Sequence, residues 1–323
     1  MTTVLAVDVG GTTTAAGLVT DAGDVVTERQ LGTHAKGPGT VRETIESLIE
    51  SLQRDAGARP VGIGIGIPAV VDAEGGIVGE EAHNVPELAG VPLARLVSER
   101  FGIPAFIDND VNALALAEWR FGAAKGARSL VVLAPGTGFG SGIVVDGRLI
   151  RGAHGFGAEL GHVPVKFDGP ACWCGGRGCL ALYASGRGIA EAARARVTGA
   201  GGGALLAAAS GEPMRIDAPL VFQMAADGEP MASAVIDDAC RALGAILGIV
   251  VNGLNPEVIV VTGGVAVSLV ALEKRVLACA AQYAFKRALT TTKIGIVPGD
   301  KRLSMRGAAA LALYELETRR SSR

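Results

Sequence analysis

The 323-residue chain lacks a charge excess: 30 Lys and Arg stand against 32 Asp and Glu, a formal net charge of −2. No basic run stands out, which argues against a nucleic-acid partner or an anionic membrane surface. A targeting signal is missing too, because Met1–Thr3 leads straight into the strand-like run Val4–Val9 with no charged segment followed by an apolar one. No apolar run is fit to span a bilayer. The most hydrophobic zone, Ala242–Leu272, is cut by Asn252, Asn255, Pro256 and Glu257 and reads as a buried helix, a turn and a buried strand. A cytoplasmic location is expected. Two nucleotide-binding signatures are absent as well. There is no Gly-x-x-x-x-Gly-Lys-[Ser/Thr], and the first glycine turn does not have the Gly-x-Gly-x-x-Gly form that opens a Rossmann helix.

What is present is a large core. Apolar residues make up 49% and charged residues 19%, which excludes a mainly disordered chain. The length suits about two domains of roughly 150 residues each. With 47 glycines and 14 prolines, a turn-rich fold with backbone-lined sites is expected.

Strands are predicted at Val4–Val9, Thr14–Thr20 and Val25–Leu31, an antiparallel meander whose first turn is glycine-rich. A helix follows over Val41–Ala56, with Val41, Ile45, Leu48, Ile49 and Leu52 on one face and Gly57 as its stop. Further elements are a strand at Val61–Ile67, a helix at Leu93–Phe101, a strand at Ala105–Ile107 and a helix at Val111–Phe121. Sliding the chain so that Leu5 lies on Leu130 also brings Val7 onto Val132, Gly11 onto Gly136 and Thr12 onto Thr137. The same slide aligns Gly17 with Gly142, Val19 with Val144 and Asp21 with Asp146. Coincident Gly-Thr turns between matched strands point to a duplicated unit. The remainder reads as a loop over Gly152–Leu180, a helix over Leu182–Val197 and a glycine linker at Gly199–Gly203. Then come a helix at Ala232–Gly253, a strand at Val258–Thr262, a helix at Val267–Ala284, a strand at Lys293–Val297 and a closing helix at Leu303–Glu317, with Thr318–Arg323 frayed.

The turn Asp8-Val9-Gly10-Gly11-Thr12-Thr13 offers backbone N–H groups and hydroxyls to phosphate oxygens. Asp8 at the strand end suits Mg²⁺, held through water because that ion dehydrates reluctantly. Gly136-Thr137-Gly138 repeats the chemistry, and Thr262-Gly263-Gly264 adds a third backbone surface for one nucleotide. Of five cysteines, Cys172, Cys174 and Cys179 cluster, which suggests a metal site before disulfides. Cys240 and Cys279 fall in apolar helices and read as core. Asp108-Asn109-Asp110 is delivered by a strand end to the start of a helix, where a carboxylate is suited to take a proton from a hydroxyl. Asp108 and Asp110 compete for that role, and Asp110 reads equally well as the helix cap.

Together, Asp8–Thr12, Gly136–Gly140, Glu159-Leu160-Gly161-His162 and Cys172-x-Cys174-Gly175-x-x-Gly178-Cys179 resemble the ROK family of sugar kinases and sugar-responsive regulators, from about residue 3 to 315. The resemblance implies an α/β fold of two ribonuclease-H-like (actin/hexokinase-like) lobes around a central cleft, with a small zinc loop. The expected small lobe is 1–121 with the returning helix 303–323, and the large lobe is 122–302 with its zinc loop at 159–180. It implies ATP-dependent phosphorylation of the primary hydroxyl of glucose or a glucose-like sugar, with ATP and Mg²⁺ as cofactors and a homodimer or tetramer as the assembly. Family regulators carry a helix-turn-helix before the first strand. Only three residues precede it here, so a kinase is expected over a non-catalytic sugar sensor.

Thiolates of Cys172, Cys174 and Cys179 with the imidazole of His162 make a Cys₃His set suited to a structural Zn²⁺. The family's Asn-Asp pair opening a helix matches Asn109-Asp110, which selects Asp110 as base and Asn109 as a sugar contact. Asn84, Glu159 and His162 carry over as further sugar contacts. Two departures stand out. Ala181 replaces the family's usual glutamate near the anomeric hydroxyl, and Pro68-Ala69 replaces a usual Pro-Gly. Losing a charged hydrogen bond costs about 1.5–3 kcal/mol if nothing replaces it. Ala181 therefore leaves open weaker glucose binding, a compensating group, or a substrate altered at that end, such as a C7-cyclitol or an amino hexose.

Overall fold

In a computed structural model, the described residues are 2–57, 59–200, 203–299 and 301–321, and the side chains of 200, 301 and 321 are left aside. The chain divides into two units. The first comprises 1–128, 142–158 and 300–323, and the second 129–141 and 159–299. The segment 142–158, expected in the large lobe, groups with the first unit because its backbone and side chains pack there: Gly142 against the helix carrying Val111 and Ala115, Gly155 against the Val71 carbonyl.

The first unit opens with strands β1 (Thr3–Val9), β2 (Thr13–Thr20) and β3 (Val25–Gly32). Helix α1 (Val41–Asp55) follows, and Val41, Ile45, Leu48, Ile49 and Leu52 are all buried, as their spacing requires. Full burial of such a side chain contributes roughly 1.5–3 kcal/mol. Next come β4 (Ile63–Ile67), the short pair β5 (Val71–Asp72) and β6 (Ile77–Val78), and α2 (Leu93–Phe101), which ends on Gly102 in the left-handed region at φ 63°. Strand β7 (Ala105–Asn109) then runs directly into α3 (Asp110–Phe121).

The second half begins with β8 (Ser129–Pro135), β9 (Phe139–Val145) and β10 (Arg148–Leu149). Where one helix was expected over Leu182–Val197 there are two, α4 (Ala181–Ala184) and α5 (Gly186–Ala200), broken at the extended Ser185. Part of the expected glycine linker lies outside the described residues, and Gly199 belongs to α5. Two helices without a sequence counterpart follow, α6 (Ala204–Ala208) and α7 (Ala218–Ala226). The long α8 (Pro230–Gly253) leads to β11 (Val258–Val261). The helix expected over Val267–Ala284 is split into α9 (Ala266–Leu269), a 3₁₀ turn and α10 (Glu273–Ala280). Helix α11 (Lys286–Thr291) and strand β12 (Lys293–Ile296) complete this part. The closing helix α12 (Lys301–Ser321) includes the first four residues of the stretch expected to fray, whose last two lie outside the described residues. No helix among the described residues is long and apolar enough to cross a membrane.

The two sheets have the orders β3-β2-β1-β4-β7 and β10-β9-β8-β11-β12. Each is an antiparallel edge continued by parallel strands, the first through β1-β4-β7 and the second through β8-β11-β12. The repeat seen in the sequence thus has a topological counterpart. Its matched glycines do the same job: a Cβ on Gly17 would overlap Met305 of α12, and one on Gly142 would come within 2.7 Å of Ala115 of α3. Each bare position lets a helix close on a sheet strand. Gly64 in β4 acts likewise, since a Cβ there would overlap the Ala308 carbonyl of α12.

Candidate active site and metal centre

In the first unit the parallel strands β1, β4 and β7 end side by side. Asp8 pairs in register with Gly66, and Gly66 with Asp108. The two acids therefore stand level, two strand spacings or about 10 Å apart. Both lie toward the carboxyl ends of their strands, the edge where open α/β sheets present ligand sites. Asp8 is part-buried, and that burial pushes its carboxyl up to about 6.

The turn beyond Asp8 is braced from behind. The Gly10 N–H donates to the Thr13 carbonyl at 3.0 Å, and the Thr33 N–H to the Thr12 carbonyl at 2.9 Å. The hydroxyl of Thr33, itself fully buried, donates to the Gly10 carbonyl at 2.6 Å. Gly11, Thr12 and Thr13 are left exposed. Asn84 is brought to this turn, its Cβ only 3.7 Å from where a Cβ on Gly11 would stand.

Burial distinguishes Asp108 from Asp110. Asp108 is 1% exposed, and both its oxygens are engaged. Oδ1 accepts the Asn109 N–H at 2.7 Å and Asn112 Nδ2 at 2.9 Å, while Oδ2 accepts Arg151 Nε at 2.6 Å. A base must reach its proton, and both oxygens of Asp108 are already committed within the protein. The cap of α3 is Asn109, whose Oδ1 accepts the N–H groups of Val111 and Asn112 at 2.9 and 3.2 Å. Its Nδ2 donates to the Ala69 carbonyl at 3.2 Å, which leaves one amide hydrogen for a ligand. Asp110 opens the helix, half-buried, where the N-terminal dipole favours a carboxylate.

In the second unit, β8 and β11 run parallel and their following turns are bonded together. The Thr262 N–H donates to the Leu133 carbonyl and the Val265 N–H to the Pro135 carbonyl, both at 2.9 Å. The start of α5 joins them, Gly186 N–H donating to the Gly136 carbonyl at 2.8 Å and Arg187 N–H to the Thr137 carbonyl at 3.1 Å. These three surfaces open on a cavity of about 540 Å³, a size suited to a nucleotide-like ligand. Gly136, Thr137 and Gly264 line it, whereas Gly138 and Gly263 do not. Gly263 is required by the fold: its φ is 116°, and a Cβ would lie 2.8 Å from the Pro135 carbonyl. The sequence reading missed the far wall, made by Arg187 and Arg194 of α5 and by Pro219 and Phe222 of α7. No local motif marks these residues, because they form a wall only when the two helices pack together.

The cysteine cluster lies in the same unit. Its loop is closed by backbone bonds, Cys172 N–H to the Gly176 carbonyl at 2.8 Å and Leu180 N–H to the Val163 carbonyl at 3.0 Å. Donor atoms of His162, Cys172, Cys174 and Cys179 all fall within 4.8 Å of one another. Cys172 Sγ is 3.7 Å from His162 Nδ1, and Cys174 Sγ is 3.7 Å from Cys179 Sγ. Tetrahedral ligands at zinc–sulfur bonds of about 2.3 Å stand about 3.8 Å apart, so two of the donor pairs already have that spacing and the widest would close by about 1 Å around the ion. Desolvation, with the neighbouring thiols, pushes Cys179 up to about 12, and the Gly176 N–H holds Cys174 below its ordinary value. A bound dication would favour the thiolate at both. Glu159 precedes the 3₁₀ turn Leu160–His162, and its carboxyl is raised by desolvation against the opposing pull of His162. Ala181, 1% exposed, opens α4.

Comparisons with known proteins agree with this geometry. The ROK family model matches residues 4–315. The chain is 36% identical over 266 residues to the glucokinase of Thermotoga maritima, covering 81% of this chain and 82% of that protein. The ROK hexokinase structure from Thermus thermophilus superposes with a TM-score of 0.83 at 30% identity, covering 98% of this chain and 99% of that one. A ROK family glucokinase from Streptomyces griseus, solved in complex with glucose and AMPPNP, gives a TM-score of 0.73 at 29% identity, covering 96% and 99% of the two chains. With its glycine turns, its paired acids and its His-Cys cluster all lying within the matched span, this chain belongs to the ROK family.

Proposed function

We propose that the protein is an ATP-dependent sugar kinase that phosphorylates the primary hydroxyl of glucose or a glucose-like substrate. The observation that carries this reading is the level pair of strand ends bearing Asp8 and the Asp108–Asp110 segment, beside a braced turn with three exposed residues. Kinship with glucokinases over four-fifths of the chain supports it.

In this mechanism Asp110 accepts the proton of the sugar hydroxyl as the hydroxyl oxygen attacks the γ-phosphorus in line, the bond from that phosphorus to the β,γ-bridging oxygen breaks, and ADP leaves with the electron pair. Asn84 and the remaining amide hydrogen of Asn109 orient the sugar, with Glu159 and the second ring nitrogen of His162 as further contacts. The turn at Gly10–Thr13 and the turn at Gly136–Gly138 offer the phosphates those N–H groups not bonded within the turns, and Gly264 borders the nucleoside. Arg187 offers positive charge within the second unit's cavity, while Pro219 and Phe222 offer an apolar face to the base. Asp8 would hold Mg²⁺ through water, and the ion would offset phosphate charge. Zinc, held by His162, Cys172, Cys174 and Cys179, would cross-link the loop after Glu159 and take no part in the chemistry.

Ala181 favours a second reading of the substrate. A buried alanine offers no hydrogen bond to the sugar, so a C7-cyclitol or an amino hexose remains a rival acceptor to glucose. ADP release should be followed over glucose, mannose, N-acetyl hexosamines, amino hexoses and cyclitols with ATP. Glucose is expected to turn over, and a cyclitol with the highest kcat/KM would instead establish the specialised reading. Asp110→Asn should lower kcat by about 10²–10⁴-fold, and near-normal turnover in a folded variant would remove Asp110 from the mechanism.

A further inference from the structure

We propose that Arg151 is a positioning residue for Asp110, acting through the buried carboxylate of Asp108; this rests on the reading of Asp110 as the base. Arg151 is anchored by three separate elements. Its Nε donates to Asp108 Oδ2 at the end of β7, and its Nη2 to Glu315 Oε1 of α12, both at 2.6 Å. The guanidinium carbon lies 5.8 Å from the centre of the Tyr314 ring, and the Tyr314 hydroxyl accepts the Leu149 N–H at 3.2 Å. Behind it, the Gly157 N–H donates to the Arg151 carbonyl at 2.7 Å. The side chain is 23% exposed.

The geometry explains why the residue is an arginine. A planar guanidinium presents Nε and Nη2 to two carboxylates at once, whereas an ammonium is a point charge that cannot span both in one orientation. The ion pair to Asp108 in turn sets the start of α3. With Oδ2 held by Arg151, Oδ1 is aimed at the Asn109 N–H and at Asn112 Nδ2, one bond on each side of Asp110. The base is thereby clamped at its preceding residue and at the residue two beyond it. Removing Arg151 leaves Asp108 as an unpaired buried charge, which is relieved only by protonation or rotation. Either change loosens the clamp, and misplacement of a reacting group by about 1 Å can cost on the order of 100-fold in rate.

The test compares Arg151→Met, Arg151→Lys, Glu315→Gln and Asp110→Asn in full-length enzyme, well below each melting temperature. Arg151→Met is expected to lower kcat by about 10–100-fold with the KM for ATP within about twofold of the parent. Arg151→Lys, which keeps the charge beside Asp108, should recover part of that loss, and Glu315→Gln should lower kcat by less than Arg151→Met. A folded Arg151→Met with parental kcat, or one in which kcat falls only as the KM for ATP rises in step, overturns the proposal. If Arg151→Met does not fold, Arg151→Lys and Glu315→Gln carry the test: parental kcat in both overturns it. Asp110→Asn separates the two readings. Near-parental activity in that variant removes the base assignment, whereas its loss together with parental kcat in Arg151→Met removes only the positioning role.

Discussion

The guanidinium of Arg187 lies 4.7 Å from the centre of the Trp173 ring. Trp173 sits between two candidate zinc ligands, Cys172 and Cys174, and its ring meets that of a third, His162, edge-on at 6.1 Å. Arg187 lines the 540 Å³ cavity and donates its N–H to the Thr137 carbonyl. The stack therefore connects the cysteine loop to the turn proposed to hold phosphate.

Trp173 should report on both sites. In a Trp119→Phe background its fluorescence is expected to change when ATP is added and again when a chelator removes metal. Metal removal should also lower the melting temperature, since binding energy at such a site is folding energy. An exposed cation–π contact contributes about 0.5–1 kcal/mol, so Trp173→Ala should raise the Kd for ATP roughly two- to fivefold. Emission indifferent to both additions would mean that the stack couples nothing. Native protein without zinc on elemental analysis would end the Cys₃His assignment.

Gly138 and Gly64 separate the needs of a ligand from those of the fold. A Cβ on Gly138 meets nothing within 4 Å, so Gly138→Ala is expected to melt within a degree or two of the parent. If phosphate oxygens approach its backbone, the added methyl should still raise the KM for ATP about tenfold or more. Gly64→Ala should do the reverse and lose several kcal/mol of stability, because its Cβ has no room beneath α12. Unchanged ATP kinetics in Gly138→Ala would detach that turn from the nucleotide.

Asp8 carries a stability cost that its site requires. Burial raises its carboxyl from 3.8 to about 6, so the folded chain binds the proton more tightly than the unfolded one. The sign follows from linkage: stability is greatest below about pH 4 with respect to this group and falls as pH rises through about 6. In metal-free protein, Asp8→Asn should therefore gain roughly 2–3 kcal/mol at pH 7.5 and nothing at pH 3.5. The same variant should lose Mg²⁺-dependent turnover. Denaturant unfolding at the two pH values measures the first effect, and an equal gain at both would show that burial of the charge is not its source.

Much of the framework was legible in the residues because it depends on local pattern. The helical spacing of Val41–Leu52 forecast α1, and the Gly-Thr turns at 11–12 and 136–137 forecast two related units, each opening on a strand, a glycine turn and a strand. Three cysteines within one short loop already brought their donors near one another. Other features were not legible. The division of the chain placed 142–158 with the first unit, and α12 continued to Ser321. The wall of α5 and α7 around the cavity had no motif to announce it.

The choice between Asp108 and Asp110 shows where the line falls. Two acids separated by one residue where a strand gives way to a helix are equivalent as sequence, since each is a carboxylate near the start of the helix. Pattern alone determined that a strand, a polar corner and a helix would follow one another there, because those are set by neighbours in the chain. That Asp108 lies buried was decided by Arg151, a distant cation that Glu315 helps to hold and that supplies the charge compensation a buried carboxylate needs. Such compensation acts through space, so it exists only once the tertiary structure has brought these groups together.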